Sequence, residues 1–253
     1  ELKKNKTTFI PIDSEHFSIW SLIKHQNKDN IKKIYLTASG GPFLNKKKSL
    51  LSNIKPKHAL KHPNWKMGKK ISIDSATLMN KIFELIEAKK IFNLDISKFK
   101  IIIHPKSYVH AIVHFKNGLV KFLAHDTDMA IPIMNSLYIN KIFDYNNKSL
   151  NPLKLNNLNF SKPDIKKFPF LKILNKLPKK NTYFETILIT INDYLVDKYL
   201  NGKINYHLLN VCLLKLIKNP YFTRYYMFGP KNIIDIKIMV KRVTTYLNKT
   251  KLN

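Results

Sequence analysis

At 253 residues with 44% hydrophobic content, the chain is long enough to bury a core and to hold one large domain or two smaller ones. Its formal charge is +29, but of the 45 basic residues all except Arg224 and Arg242 are lysine, and base-reading surfaces favour the arginine fork; the charge is read as lysine-rich composition, and nucleic-acid binding as unlikely. No apolar run reaches eighteen residues, no signal-peptide pattern opens the chain, and the lone Cys212 sits in an apolar run, so neither a membrane span nor secretion is indicated, no disulfide is expected, and a cytoplasmic location is expected.

In chain order, the β-branched and apolar run from Lys6 to Ile12 predicts a strand leading into Asp13-Ser14-Glu15, and Ser18 to Lys24 a short helix. Lys32 to Thr37 predicts a buried strand that ends in the small-residue turn Ala38-Ser39-Gly40-Gly41-Pro42. His62 to Lys70 lacks apolar periodicity and reads as a loop. Ser75 to Phe92 carries apolar residues at helical spacing, with Asp74 or Ser75 as the N-cap. Strands follow at Ile101–Ile103, Val109–Phe115 and Leu119–Leu123, the last two joined by an Asn117-Gly118 hairpin turn. An Asn-, Lys- and Pro-rich linker comes next, and then four helices are expected: Phe170–Leu177, Thr182–Leu200, Tyr206–Ile217 and Ile233–Leu247. The fold class is therefore an α/β catalytic domain with a mixed sheet, followed by a small all-α C-terminal bundle.

Among residues that carry chemistry, Asp13 and Glu15 are two apart, so an extended segment would turn both carboxylates to one side, as a hard divalent cation requires. Such pairs are commonly just solvated. With 16 acids in the whole chain, however, a pair at the end of an apolar run stands out. Ser75 at a helix start would face an anion with free N–H groups, and Asn80, Lys81 and Glu84 follow it, with Lys81 and Glu84 spaced to share a helix face. Ser39-Gly40-Gly41 offers a hydroxyl and permissive backbone to a phosphate, and His62 with Trp65 sits in a loop able to cover a substrate.

Five strings taken in order carry a family resemblance: Ile12-Asp13-Ser14-Glu15-His16, Ala38-Ser39-Gly40-Gly41-Pro42-Phe43, His62-Pro63-Asn64-Trp65-Lys66-Met67-Gly68-Lys69-Lys70-Ile71, Asp74-Ser75-Ala76-Thr77-Leu78-Met79-Asn80-Lys81 and Ile103-His104-Pro105-Lys106-Ser107. Together they resemble the 1-deoxy-D-xylulose 5-phosphate reductoisomerase family. The resemblance implies an enzyme of non-mevalonate isoprenoid synthesis, an NADPH-linked oxidoreductase that rearranges and reduces 1-deoxy-D-xylulose 5-phosphate to 2-C-methyl-D-erythritol 4-phosphate with Mg²⁺ or Mn²⁺. It implies Asp13, Glu15 and Glu84 as metal ligands. Ser14, Glu15, Ser39, His62, Ser75, Asn80, Lys81 and Glu84 would bind the sugar phosphate, with Glu15, His62 and Lys81 as the catalytic set. Trp65 and Met67 would lie on a lid, and Gly68 beside the nicotinamide.

The same resemblance implies a domain order: 1–12 as the remnant of a preceding nucleotide-binding domain, 13–145 as the catalytic metal- and substrate-binding domain, 146–164 as linker and 165–253 as the C-terminal helical domain. No glycine-rich nucleotide fingerprint occurs, so NADPH is expected to be bound mainly by a domain not present in this chain. A homodimer is implied as well. Ile82 stands where the family usually has glycine, Thr127 where it usually has proline, and Ile189-Thr190-Ile191-Asn192-Asp193 keeps only the end of an Asn-Ala-Ala-Asn-Glu string. A decayed, non-catalytic relative is the alternative that these departures favour, and a basic nucleic-acid-binding module the more distant one.

Overall fold

The computed structural model describes residues 2, 4–51, 54–139, 141 and 151–251. They gather into two compact units, Glu1–Gly40 with Phe83–Pro163 and Gly41–Ile82 with Asp164–Asn253. The first five residues of the expected linker, 146–150, and residues 1 and 3 of the expected N-terminal remnant lie outside the described residues.

In the first unit, helix α1 (Ser14–Ile23) is capped by Asp13, whose carboxylate accepts the backbone N–H groups of Glu15 and His16. Strand β1 (Ile31–Ala38) follows. Strands β2 (Phe99–Ile103), β3 (Val109–Phe115) and β4 (Val120–Ala124) complete a mixed sheet of order β2-β1-β3-β4, parallel between β1 and β2 and antiparallel elsewhere. Ile34, Leu36, Val109, Ala111 and Val113 are fully buried on it, and α1 packs over β1, β3 and β4. The Asn117-Gly118 turn forms as expected: Gly118 takes φ +87°, which a side chain would resist, and Asn117 Oδ1 accepts from Leu119 N–H at 3.1 Å. Residues 151–163 contribute a bridge from Ser161 to Ile103 at the end of β2.

The expected strand from Lys6 to Ile12 is not formed. The segment has no ladder partner among the described residues, Phe9 and Ile12 are exposed, and Pro11 offers no N–H to a sheet. β-branched composition alone does not make a strand without a neighbour to pair with.

The second unit begins with a short helix α2 (Pro56–Ala59), followed by α3 (Lys69–Thr77). Helix α4 (Met79–Phe92) starts here and ends in the first unit. The single helix expected from Ser75 to Phe92 is thus two. Leu78, 1% exposed, sits in the left-handed region at φ +60° and caps α3 by donating its N–H to Ser75 O. Ser75 consequently lies in the last turn of α3 and is not a helix N-cap; the helix start expected there is that of α4, at Met79. Such a conformation costs on the order of 1–2 kcal/mol for a residue with a Cβ, and burial of the leucyl side chain offsets it. Ile82 is fully buried and leaves α4 continuous.

After α5 (Ala130–Leu137) in the first unit, the C-terminal helices of the second unit are α6 (Tyr183–Leu200), α7 (Tyr206–Leu216), the short α8 (Pro220–Thr223) and α9 (Ile233–Lys249). The segment expected as a helix from Phe170 to Leu177 is instead a 3₁₀ run, Pro169–Lys176. A capping box starts α6, with Thr182 accepting from the backbone and Glu185 reaching back to Thr182 N–H. Met239, Val243 and Leu247, four apart, form the buried stripe of α9 against α6.

Candidate functional site

One oxygen each from Asp13, Glu15 and Glu84 lies within 4.8 Å of the other two. They converge in the first unit for local reasons. Asp13 is the α1 N-cap and Glu15 stands in its first turn, so the pair meets through helix capping and not, as the sequence suggested, through extended backbone. Glu84 is supplied from α4 with 3% exposure. Ser14 donates its hydroxyl to the Glu15 carboxylate.

His16, which sequence reasoning quoted but gave no task, ties the cluster together. Its Nε2 donates to Glu84 O at 2.8 Å, while Nδ1 lies 3.3 Å from Asp13 Oδ1 and 3.8 Å from Glu87 Oε2. The Asp-x-x-His spacing across a helix start was the available signal. His125 was also missed. It stacks on His110 with ring centroids 3.8 Å apart, and its Nε2 is buried with no hydrogen-bond partner among the described residues. Burial holds its imidazole below the ordinary histidine range, partly countered by the bond to Asp126 O and by the charge of Glu15.

Three clustered carboxylates are a hard-oxygen donor set, and their mutual repulsion is relieved by a divalent cation; the residues present fit Mg²⁺ or Mn²⁺.

Ser39 directly follows β1 in the first unit. The remaining sequence-singled residues are in the second. Gly41 takes φ +63°, and a Cβ there would stand 3.0 Å from Ser75 O and 3.1 Å from Ala76 Cα, so only glycine lets this turn lie against α3 beside Ser75. In the loop before α3, His62 Nδ1 accepts the backbone N–H groups of Trp65 at 2.9 Å and Asn64 at 3.2 Å. The proton of the neutral ring is thereby assigned to Nε2. Trp65 and Met67 are half-buried, and the exposed Gly68 is the N-cap of α3. Asn80 and Lys81 occupy the first turn of α4, Lys81 buried.

Burial, and secondarily the Lys81 charge, lower the His62 pKa from 6.5 to about 4. As pH falls from 6.5 towards 4, the unfolded chain takes up a proton at this position that the folded chain refuses. The contribution of His62 to stability is therefore present above pH 6.5 and lost below it. A midpoint near pH 4 is expected for the ring Hε1 resonance in an NMR titration; one at pH 6 or above would remove the assigned neutral donor.

Asp74, on α3 and 2% exposed, accepts from Asn192 Nδ2 at 2.8 Å and from Lys70 Nζ at 2.9 Å, and Lys70 also pairs with Asp193 at 3.0 Å. Burial raises the Asp74 pKa against the opposing pull of Lys70 and Asn192. The surviving Asn-Asp end of the C-terminal string thus anchors α3 to α6.

Two family models match the chain, the 1-deoxy-D-xylulose 5-phosphate reductoisomerase C-terminal domain over residues 9–92 and the DXP reductoisomerase C-terminal domain over 125–241. The 1-deoxy-D-xylulose 5-phosphate reductoisomerase of Pelagibacter ubique is 54% identical over 94% of this chain and 61% of its own length, and that of Clostridium botulinum strain Hall 40% identical over 98% and 63%. Among solved structures, the reductoisomerase of Zymomonas mobilis in complex with NADPH superposes with a TM-score of 0.86 at 30% identity, covering 99% of this chain and 64% of that one. A DOX-P reductoisomerase in complex with NADPH, fosmidomycin and magnesium gives 0.88 at 35%, covering 97% and 64%. The chain thus spans less than two thirds of the length of the relatives it matches.

Fold and carboxylate cluster define an α/β protein with a divalent-cation donor set and a helical C-terminal part. The chain belongs to the 1-deoxy-D-xylulose 5-phosphate reductoisomerase family.

Proposed function

We propose that this chain is the metal- and substrate-binding portion, with the C-terminal helices, of an enzyme that converts 1-deoxy-D-xylulose 5-phosphate to 2-C-methyl-D-erythritol 4-phosphate. The observation that carries this reading is the Asp13–Glu15–Glu84 cluster on a chain of that family. A divalent cation held by these carboxylates supplies Lewis acidity to adjacent carbonyl and hydroxyl oxygens of the sugar. Ser14, its hydroxyl on Glu15, orients that carboxylate and meets the substrate beside it. Ser39, His62, Ser75, Asn80 and Lys81 bind the sugar phosphate: His62 donates from Nε2 as a neutral ring, and the buried Lys81 supplies the compensating charge. Glu15, His62 and Lys81 form the catalytic set, and Trp65 and Met67 exclude water when their loop covers the ligand.

NADPH supplies the hydride. This chain has no glycine-rich nucleotide turn, and Gly68 is the residue it offers to the nicotinamide. The division into 13–145 as catalytic part, 146–164 as linker and 165–253 as C-terminal part is proposed on the same footing. So are a cytoplasmic location and a homodimer, for which the apolar Val120 and Phe122 exposed on edge strand β4 provide surface. No helix among the described residues is long and apolar enough to cross a membrane.

Calorimetric titration with the substrate phosphate tests the reading. Binding is expected with Mn²⁺ present, none with chelator, and at least about tenfold weaker binding in Lys81→Ala, from loss of a charge-assisted contact. Metal-independent binding, or none in either condition, would favour the decayed relative.

A further inference from the structure

Both arginines of this lysine-dominated chain line one cavity of about 550 Å³ in the second unit, and nothing in the proposed reaction uses it. Arg224, just after α8, lies with its guanidinium 4.6 Å from the Tyr221 ring centroid and 4.9 Å from that of Tyr225. Arg242, on α9, lies 5.2 Å from the Tyr225 centroid and donates from Nη1 to Tyr225 Oη at 3.0 Å. Both guanidinium groups therefore lie within 5.2 Å of the centroid of one aromatic ring, and neither is paired with a carboxylate among the described residues. Every other Lys/Arg position of the chain is lysine; at these two an ammonium would neither stack on a ring face as a plane nor present a bidentate fork.

The other walls are aromatic and aliphatic: Tyr183 at the start of α6, Phe228, and Ile238 on α9. Phe228 O accepts from Tyr183 N–H at 2.8 Å, which fixes the two rings' backbones together. This closure needs Gly229, where a Cβ would stand 2.5 Å from Asn181 O. Asp235 completes the rim; one of its oxygens accepts Lys231 N–H at 2.8 Å, so the carboxylate is held in place. The volume falls in the range of small-ligand sites, apolar walls with a few convergent polar groups.

We propose that this cavity is a second ligand site, separate from the carboxylate cluster, for a phosphate-bearing planar aromatic molecule of nucleoside monophosphate size. The two guanidinium forks take the phosphate, Tyr183 and Phe228 take the flat ring, and the Asp235 carboxylate accepts a sugar hydroxyl.

Adenosine 5′-monophosphate is the probe, titrated calorimetrically and by saturation-transfer NMR, with inorganic phosphate and adenosine as separate arms. Saturable binding of the monophosphate is expected, at least tenfold tighter than either arm alone. Arg224→Lys and Arg242→Lys keep the charge and should each weaken it at least tenfold with the thermal midpoint held within a few degrees. Phe228→Ala covers the case in which an arginine variant misfolds: Phe228 is 62% exposed, so its truncation spares the fold while removing ring stacking, and a severalfold loss is expected. Absence of saturable binding, equal affinity for inorganic phosphate, or affinity unmoved by all three substitutions would overturn the proposal and leave the arginines as stacking residues on a lysine-coated surface.

Discussion

Glu84→Gln is expected to weaken Mn²⁺ binding by about 100-fold or more while leaving the metal-free protein no less stable. Loss of an outer-shell partner already costs about 10–100-fold in metal affinity, and Glu84 is placed to ligate directly. The side chain is 3% exposed, so glutamine, of nearly the same shape, keeps the packing and removes a charge. At 4.8 Å and an effective dielectric of about 20, two like charges repel by roughly 3 kcal/mol before neighbours and solvent reduce it. Deleting one of three carboxylates therefore relieves the metal-free state. The backbone position is insured independently, since His16 bonds the Glu84 carbonyl and not its side chain. Thermal melts with and without Mn²⁺, alongside an electron paramagnetic resonance titration, read both effects. At a metal concentration of about 100 Kd the unsubstituted protein gains roughly 2.7 kcal/mol, and the variant should gain almost none. Equal metal-induced stabilisation in the two proteins would mean the cluster is not the cation site.

The second large effect is expected at Asn192→Asp, which should destabilise the fold by up to about 4 kcal/mol at pH 7 and by about 1.5 kcal/mol at pH 5. Asn192 is 0% exposed, and its amide donates to Asp74. An aspartate there must either sit ionised against a buried carboxylate or take up a proton at the expense of ionisation available in the unfolded chain. The second option caps the penalty. Its folded pKa is raised above the unfolded value near 4, so the lost stability returns as pH falls and grows as pH rises. Lys70 does not rescue the variant at neutral pH, because its charge is already shared between Asp74 and Asp193. Chemical denaturation of the two proteins at both pH values measures this; a pH-independent difference would place the cost in packing instead of in the carboxylate pair.

The elements that were legible in the sequence are those whose determinants are local. The apolar, β-branched run of Val109–Phe115, the Asn117-Gly118 turn and the helical run from Thr182 specify β3, the hairpin and α6 with little reference to distant residues. The clustered carboxylates were legible by type and by resemblance: Asp13 and Glu15 lie in one matching string, and Glu84 follows three residues after the end of another. Where the sequence misled, the deciding partner was elsewhere in the chain. Lys6 to Ile12 has strand composition but no strand beside it. The break at Leu78 follows from burial of a leucine in a left-handed conformation, which no periodicity announces. The tasks of His16, Asn192 and the arginine pair depend on groups at sequence separations that pattern reading does not span.

The sequence by itself determined the family, the class of fold and the identity of the three carboxylates, because those rest on residue type, order and short-range spacing. Tertiary structure decided that Asp13 and Glu15 meet as a helix cap and first turn, that α3 and α4 are separate helices, and that Arg224 and Arg242 lie against a single ring. Burial of a strained residue and ring stacking are energies of contact between segments, and they exist only once the chain has brought those segments together, whereas the Asp13 cap is local and follows from the backbone there being helical instead of extended.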